Sequence, residues 1–312
     1  MKKLREEFAD TMLEVGPRDS RLVVMVGDIS HGILQPYAKA CPGRYYNIGI
    51  CEPTIVNMAA GMAKVGLVPV VHTIAPFITE RAYEQIKLDF GYQQLPLNLI
   101  SVGGAFDYAQ LGCSHHCYTD VSLLCHLKRA TVVVPGSTVE FNTLFKDLYA
   151  EDNINYFRLP EVPHGIEIAP ADIRVGRGIQ MRDGRDVTIA AIGTQLRHAM
   201  AAAERLAGEG ISADVLYFPT VKPFDEELLR ASVERTRRLV TVEELSAHDG
   251  LFNLCLRATV GLAGLQVRQL AIEDFIYGYG SYDELCARTG LSTDGIAAAA
   301  RDLAAKPIAQ AA

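Results

Sequence analysis

The 312-residue chain has no apolar run of the roughly 18 residues needed to cross a membrane, so nothing in it reads as a membrane span. Its opening, Met1-Lys2-Lys3-Leu4-Arg5, is charged and has no apolar follow-on of the kind an export signal requires. An excess of positive charge is also missing. The net charge of -7 argues against a nucleic-acid partner, which calls for a basic face. The cysteines lack pattern: seven, an odd number, are scattered along the chain, the usage expected of reduced thiols in a cytoplasm. Two phosphate-binding loops are absent as well. There is no G-x-x-x-x-G-K-[ST], and Gly176-Arg177-Gly178 and Gly278-Tyr279-Gly280 lack the third glycine of a dinucleotide loop. A nucleotide-dependent enzyme is thereby disfavoured.

What is present is alternation. Apolar stretches at 22–26, 45–50, 67–72, 97–102, 131–134 and 155–159 read as strands, with helical patterns such as 54–65, 78–90 and 138–149 between them. Three prolines then interrupt the pattern between Pro160 and Pro170. It restarts with strands at 187–192, 213–218, 239–242 and 267–270 and an alanine-rich helix at 195–207. The expected fold class is α/β, with two consecutive domains at 1–165 and 175–312. Each is a mainly parallel sheet flanked by helices.

Two segments carry candidate chemistry. In Asn47-Ile48-Gly49-Ile50-Cys51-Glu52-Pro53 a lone glutamate stands at a strand-to-helix switch, before a helix rich in Ala, Met and Val. Pro53 suits a first helical turn, because its missing N–H has no partner there anyway. A carboxylate against such a helix is costly unless something bonds to it, although helix-start acids are also common. In Gly112-Cys113-Ser114-His115-His116-Cys117, histidines in a small-residue loop after a strand are suited to moving protons near neutral pH. The flanking cysteines suggest zinc, but no second ligand pair completes a tetrahedral site.

These two segments, with Thr73-Ile74-Ala75-Pro76-Phe77, Arg81-Ala82-Tyr83-Glu84-Gln85, Val242-Glu243-Glu244 and Asp249-Gly250-Leu251, resemble the transketolases and deoxyxylulose-phosphate synthases, in order and over nearly the whole chain. The match is to the C-terminal half of such an enzyme, its pyrimidine-binding and C-terminal domains. The resemblance implies a beta-type subunit of a thiamine-diphosphate-dependent ketol-transferase. Such an enzyme moves a two-carbon unit from a ketose-type donor to an aldehyde acceptor.

The same resemblance assigns roles. Glu52 would hydrogen-bond the cofactor's aminopyrimidine nitrogen, and Phe77, with Ile74 in place of the family's first aromatic, would wall that ring. Phe77 reads equally as an ordinary core phenylalanine. Asp28 matches an aspartate at the cofactor edge and reads equally as a turn cap. His115 would meet a substrate oxygen, with His116 either beside it or a structural loop residue. Arg158 and Arg5 would bind a sugar phosphate, Arg158 reading equally as an interdomain salt bridge. Arg81 and Glu84 are expected to hold a helix and a subunit contact.

The departures matter too. An aspartate that holds a donor hydroxyl in transketolases becomes Leu111, and the upstream polar positions fall near Gly103 and Gly104. An atypical donor site is therefore expected. The family's Gly-Asp-Gly motif for Mg²⁺ is missing, since Gly27-Asp28 is followed by Ile29. The resemblance thus implies that Mg²⁺ and the diphosphate are held mainly by a separate N-terminal-half subunit, in an α₂β₂ assembly. Two rivals remain: the beta subunit of a 2-oxoacid dehydrogenase, and a non-catalytic partner chain.

Overall fold

The computed structural model describes residues 2–307. Twelve strands form two sheets. In chain order they are β1 (Leu22–Val26), β2 (Tyr45–Asn47), β3 (Val68–Ile74), β4 (Leu97–Val102), β5 (Ala130–Val133), β6 (Ile154–Leu159), β7 (Ile179–Arg182), β8 (Val187–Ala191), β9 (Ala213–Tyr217), β10 (Thr220–Lys222), β11 (Arg238–Ser246) and β12 (Gln266–Ile272). The first sheet runs β10-β5-β6-β4-β3-β1-β2 and the second β12-β11-β8-β9-β7. Only β10 on β5 and β7 on β9 are antiparallel among the described pairings.

The apolar runs explain this layering. β1, β4 and β8 are buried along their whole length, as strands covered by helices on both faces must be. Phe8, Phe141, Phe145 and Phe157 pack on one side of the first sheet. Ile55, Ala59, Ala63 and Phe90 pack on the other. That second core is continuous through the seam, where Val132 and Val134 meet Phe218 and Val221 from the other half of the chain. The seam also has a polar joint. The Glu140 carboxylate accepts from the Tyr217 hydroxyl at 2.6 Å and the Gly136 N–H at 2.8 Å, and pairs with His164 at 2.7 Å.

Several elements differ from expectation. The strand over 45–50 stops at Asn47, because the Asn47 side chain accepts from the N–H groups of Asp28 and Gly49, and Gly49 turns to φ 81°. The single helix expected over 78–90 is three pieces: Ala75–Thr79, Tyr83–Gln85 and a wide π-turn segment Ile86–Tyr92. β7 and β10 lie outside the expected strands. β10 leaves the second half of the chain to pair with β5, so sheet membership does not follow the proline-rich break.

Candidate active site

β4, β3, β1 and β2 are neighbours, and their carboxyl ends open on one edge of the first sheet, where ligands bind in open parallel sheets. Each contributes a segment. β1 leads into Gly27–Ser30, β2 into Glu52, β3 into the Ile74–Phe77 turn, and β4 into the long loop that holds His115.

Glu52 begins the helix Glu52–Lys64 and is 1% exposed. Its Oε2 accepts from Arg81 Nη1 at 2.8 Å, while Oε1 is buried with no partner among the described residues. An orphaned carboxylate oxygen is an expensive thing to bury, so it marks a place for a donor. Arg81 belongs to this cluster. Its N–H reaches back to the Pro76 carbonyl in the break between helical pieces, and its guanidinium lies 4.3 Å from the centre of the Phe77 ring. It stands beside Glu52 and Phe77 as well as bonding the helical break it was expected to hold. Its contact spans two elements and could not be read from local pattern.

Phe77 is half-buried and meets the His115 ring edge-on, centroids 5.1 Å apart. The His115 Nδ1 is 3.0 Å from Ser114 Oγ, which leaves Nε2 without a protein partner among the described residues. Partial burial lowers the His115 pKa from the usual imidazole value, so the ring is neutral at neutral pH. Ile74 is half-buried at the end of β3, 3.2 Å from where a Cβ on Gly103 would sit. Asp28 is exposed at φ 70°, and its Oδ1 accepts from the Asn47 amide at 3.2 Å. Glu52, Phe77, His115, Ile74 and Asp28 thus share one edge.

Three other residues sit differently. His116 is 5% exposed and faces inward, edge-on to Phe106 at 5.4 Å, with the backbone of Ala109 and Ile276 nearby. Neither of its ring nitrogens has a side-chain hydrogen-bond partner among the described residues. Arg158 is also buried, its Nε 3.2 Å from Asp120 and its Nη2 donating to the carbonyls of Cys117 and Glu244. It joins the two halves at the seam through the Glu244 carbonyl, the salt-bridge side of the two readings it was given. Arg5 is 30% exposed and lies 3.9 Å from Glu161, which Lys3 also holds at 2.9 Å.

The two glycines at the departures have a steric reason. A Cβ on Gly103 would come within 2.3 Å of the Tyr108 ring, and one on Gly104 within 2.1 Å of Arg158 Nε. Tyr108, unremarked in the sequence, thereby gains room to stand edge-on to His115, with centroids 6.3 Å apart.

Residues 1–162 match the family description "Transketolase, pyrimidine binding domain", and residues 176–296 match "Transketolase, C-terminal domain". The chain belongs to the transketolase family. Among its relatives is the 6-deoxy-6-sulfo-D-fructose transketolase subunit SqwH of Clostridium sp. (strain MSTE9), 30% identical over 96% of this chain and 94% of that protein. A subunit of the apulose-4-phosphate transketolase of Phocaeicola vulgatus is 32% identical over 97% of each. A 1-deoxy-D-xylulose-5-phosphate synthase of Syntrophotalea carbinolica is 33% identical, and the chain spans 47% of its length. Among solved structures, one described as "Split gene transketolase, inactive beta4 tetramer" superposes with a TM-score of 0.88 at 30% identity, covering 97% of this chain and 99% of that one. A Pichia stipitis transketolase mutant shares the fold, with a TM-score of 0.79 at 17% identity, covering 97% of this chain and 46% of that one.

Proposed function

We propose that this chain is the beta-type subunit of a thiamine-diphosphate-dependent ketol-transferase, working with a separate subunit that holds the diphosphate and Mg²⁺. The observation that carries the reading is the buried, unpartnered Oε1 of Glu52, beside an aromatic ring and a histidine with a free Nε2. An aminopyrimidine ring fits that set: Oε1 would meet its ring nitrogen, and Phe77 and Ile74 would wall its faces. When bound, thiamine diphosphate supplies a nucleophilic carbon able to hold the electrons left when a carbon–carbon bond breaks. The protein's part is to position and to move protons. Glu52 shares a proton at Oε1 while Arg81 fixes Oε2. His115 exchanges a proton at Nε2 with a substrate hydroxyl, Ser114 setting its tautomer. Leu111 offers no acceptor to a donor hydroxyl, which supports an atypical donor site.

The need for a second subunit rests on two relatives of similar length, both named as transketolase subunits. An α₂β₂ assembly in a cytoplasm is the arrangement we infer. The test is a panel of ketose donors with aldehyde acceptors, against 2-oxoacids with an electron acceptor, using this chain alone and with its co-purified partner. Two-carbon transfer that needs both chains is expected. Transfer by this chain alone would overturn the divided enzyme, and oxidation of 2-oxoacids without transfer would overturn the ketol-transferase.

A further inference from the structure

A segment of the second domain reaches the His115 loop. Beyond β12 the chain runs from Glu273 to Ser281 as an arm, and this arm lays Tyr279 directly on Gly112. A Cβ on Gly112 would come within 2.4 Å of the Tyr279 ring, so the bare glycine is what lets the ring sit there. The Gly112 carbonyl in turn accepts from the His115 N–H at 3.0 Å. Tyr279 is 69% exposed and Leu111, next to Gly112, is 53% exposed. A phenol ring and an isobutyl group therefore flank the approach to His115.

Unengaged positive charge is lacking along this approach among the described residues. No lysine or arginine occurs from residue 88 to residue 127, a stretch that includes β4 and the entire His115 loop. None occurs from residue 269 to residue 287, a stretch that includes the arm, whereas the arm itself exposes Glu273 and Asp274. The cations that do come near are engaged elsewhere. Arg158 is buried against Asp120, Arg81 pairs with Glu52, and Arg5 and Lys3 share Glu161. Arg288 packs near Gly278 but lines a separate groove of the second domain with Glu273 and Asp274.

Resting on the ketol-transfer reading, we propose that this enzyme takes a non-phosphorylated substrate, and that Tyr279 and Leu111 are the contacts that select its uncharged end. A phosphate dianion carried past this wall would lose hydration, and among the described residues no unengaged lysine or arginine beside the wall replaces it. A neutral polyol loses much less. Its C–H faces pack on the Tyr279 ring and the Leu111 side chain, and one hydroxyl can bond the Tyr279 phenol.

The experiment measures kcat/KM of the two-chain enzyme for matched ketoses with and without a terminal phosphate. The non-phosphorylated member is expected to win by about 10-fold or more, a small change on the scale of specificity effects. Y279A should raise KM for that member several-fold with kcat held, and L111R should move the preference toward the phosphate. Both side chains are exposed, so folding is not at risk. Preference for the phosphorylated member, or a KM indifferent to Y279A, would overturn the inference while leaving ketol transfer standing. Transfer from neither member of any pair would overturn the ketol-transfer reading and this inference with it.

Discussion

Each half of the molecule buries a glutamate against the start of a helix, and the two are treated oppositely. In the second half Glu243, fully buried on β11, accepts from the N–H groups of Leu251 and Phe252, which open the helix Leu251–Ala258, and from the Gln269 amide at 3.2 Å. In the first half Glu52 has Arg81 on one oxygen and nothing on the other. At Glu243 both oxygens of a buried carboxylate are paired, whereas Glu52 Oε1, like Asp120 Oδ1 at the seam, has no partner among the described residues. What separates Glu52 from the helix-start acid Glu243 is that its unpaired oxygen lies in one cluster with Arg81, Phe77 and His115.

The comparison breaks most readily on activity. E52Q should reduce two-carbon transfer by roughly 10²–10⁴-fold, the range for a lost proton-sharing group, with the unfolding midpoint held. E243Q should do the reverse: turnover held, stability lower by about 1–3 kcal/mol, since an amide NH₂ would face backbone donors. Equal activity losses in steady-state assays would erase the distinction between the two glutamates.

H115A comes next, with a fall in kcat of roughly 10²-fold and thiamine diphosphate affinity kept in calorimetric titration of the two-chain enzyme. The ring's lowered pKa adds a pH signature. The acid limb of the wild-type kcat profile should lie below the ordinary imidazole value of about 6.5 and vanish in the variant.

A smaller effect sharpens the contrast between the halves. His72, buried in β3 between Ser30 Oγ and the Ile100 carbonyl at 2.8 Å each, is pulled by burial from 6.5 to about 4. Folded His72 stays neutral while the unfolded chain takes up the proton, so stability is lost as pH falls from 6.5 toward 4. Burial pushes Glu243 from 4.5 to about 7. Folded Glu243 keeps a proton that the unfolded chain releases, so its contribution is lost as pH rises from 4.5 to 7. Each amounts to about 3 kcal/mol, and the two oppose each other over most of this range. Urea unfolding at pH 5 and pH 7 should show H72Q weakening as pH rises and E243Q strengthening. Parallel slopes for the two variants would contradict the opposed pair.

Most of the sheet framework was legible because fully buried parallel strands are written as unbroken apolar runs, as in Leu22–Val26 and Leu97–Val102. β7 and β10 were not, because Ile179–Arg182 and Thr220–Lys222 are short and mixed, and sit at sheet edges where pairing rather than burial defines them. Glu52, Phe77 and His115 could be singled out because each stands in a distinctive local run. Arg81 joins Glu52 across 29 positions, a contact that no local pattern encodes. The burial of Arg158 and His116 was hidden for a related reason: a polar residue type shows what a side chain can bind, while the fold around it decides whether solvent can reach it.

The β10 strand has a further consequence, for modularity. A truncation after residue 165 would retain Glu52, Phe77 and His115, yet it would remove the arm that carries Tyr279 and strip β5 of its antiparallel neighbour. The bared edge would present unpaired backbone donors and acceptors beside an apolar layer that has lost Phe218 and Val221. Such an edge invites pairing with any passing strand, and insolubility follows. The two halves can be drawn apart on paper at the proline-rich break, but β10 and the shared apolar layer make them one folding unit.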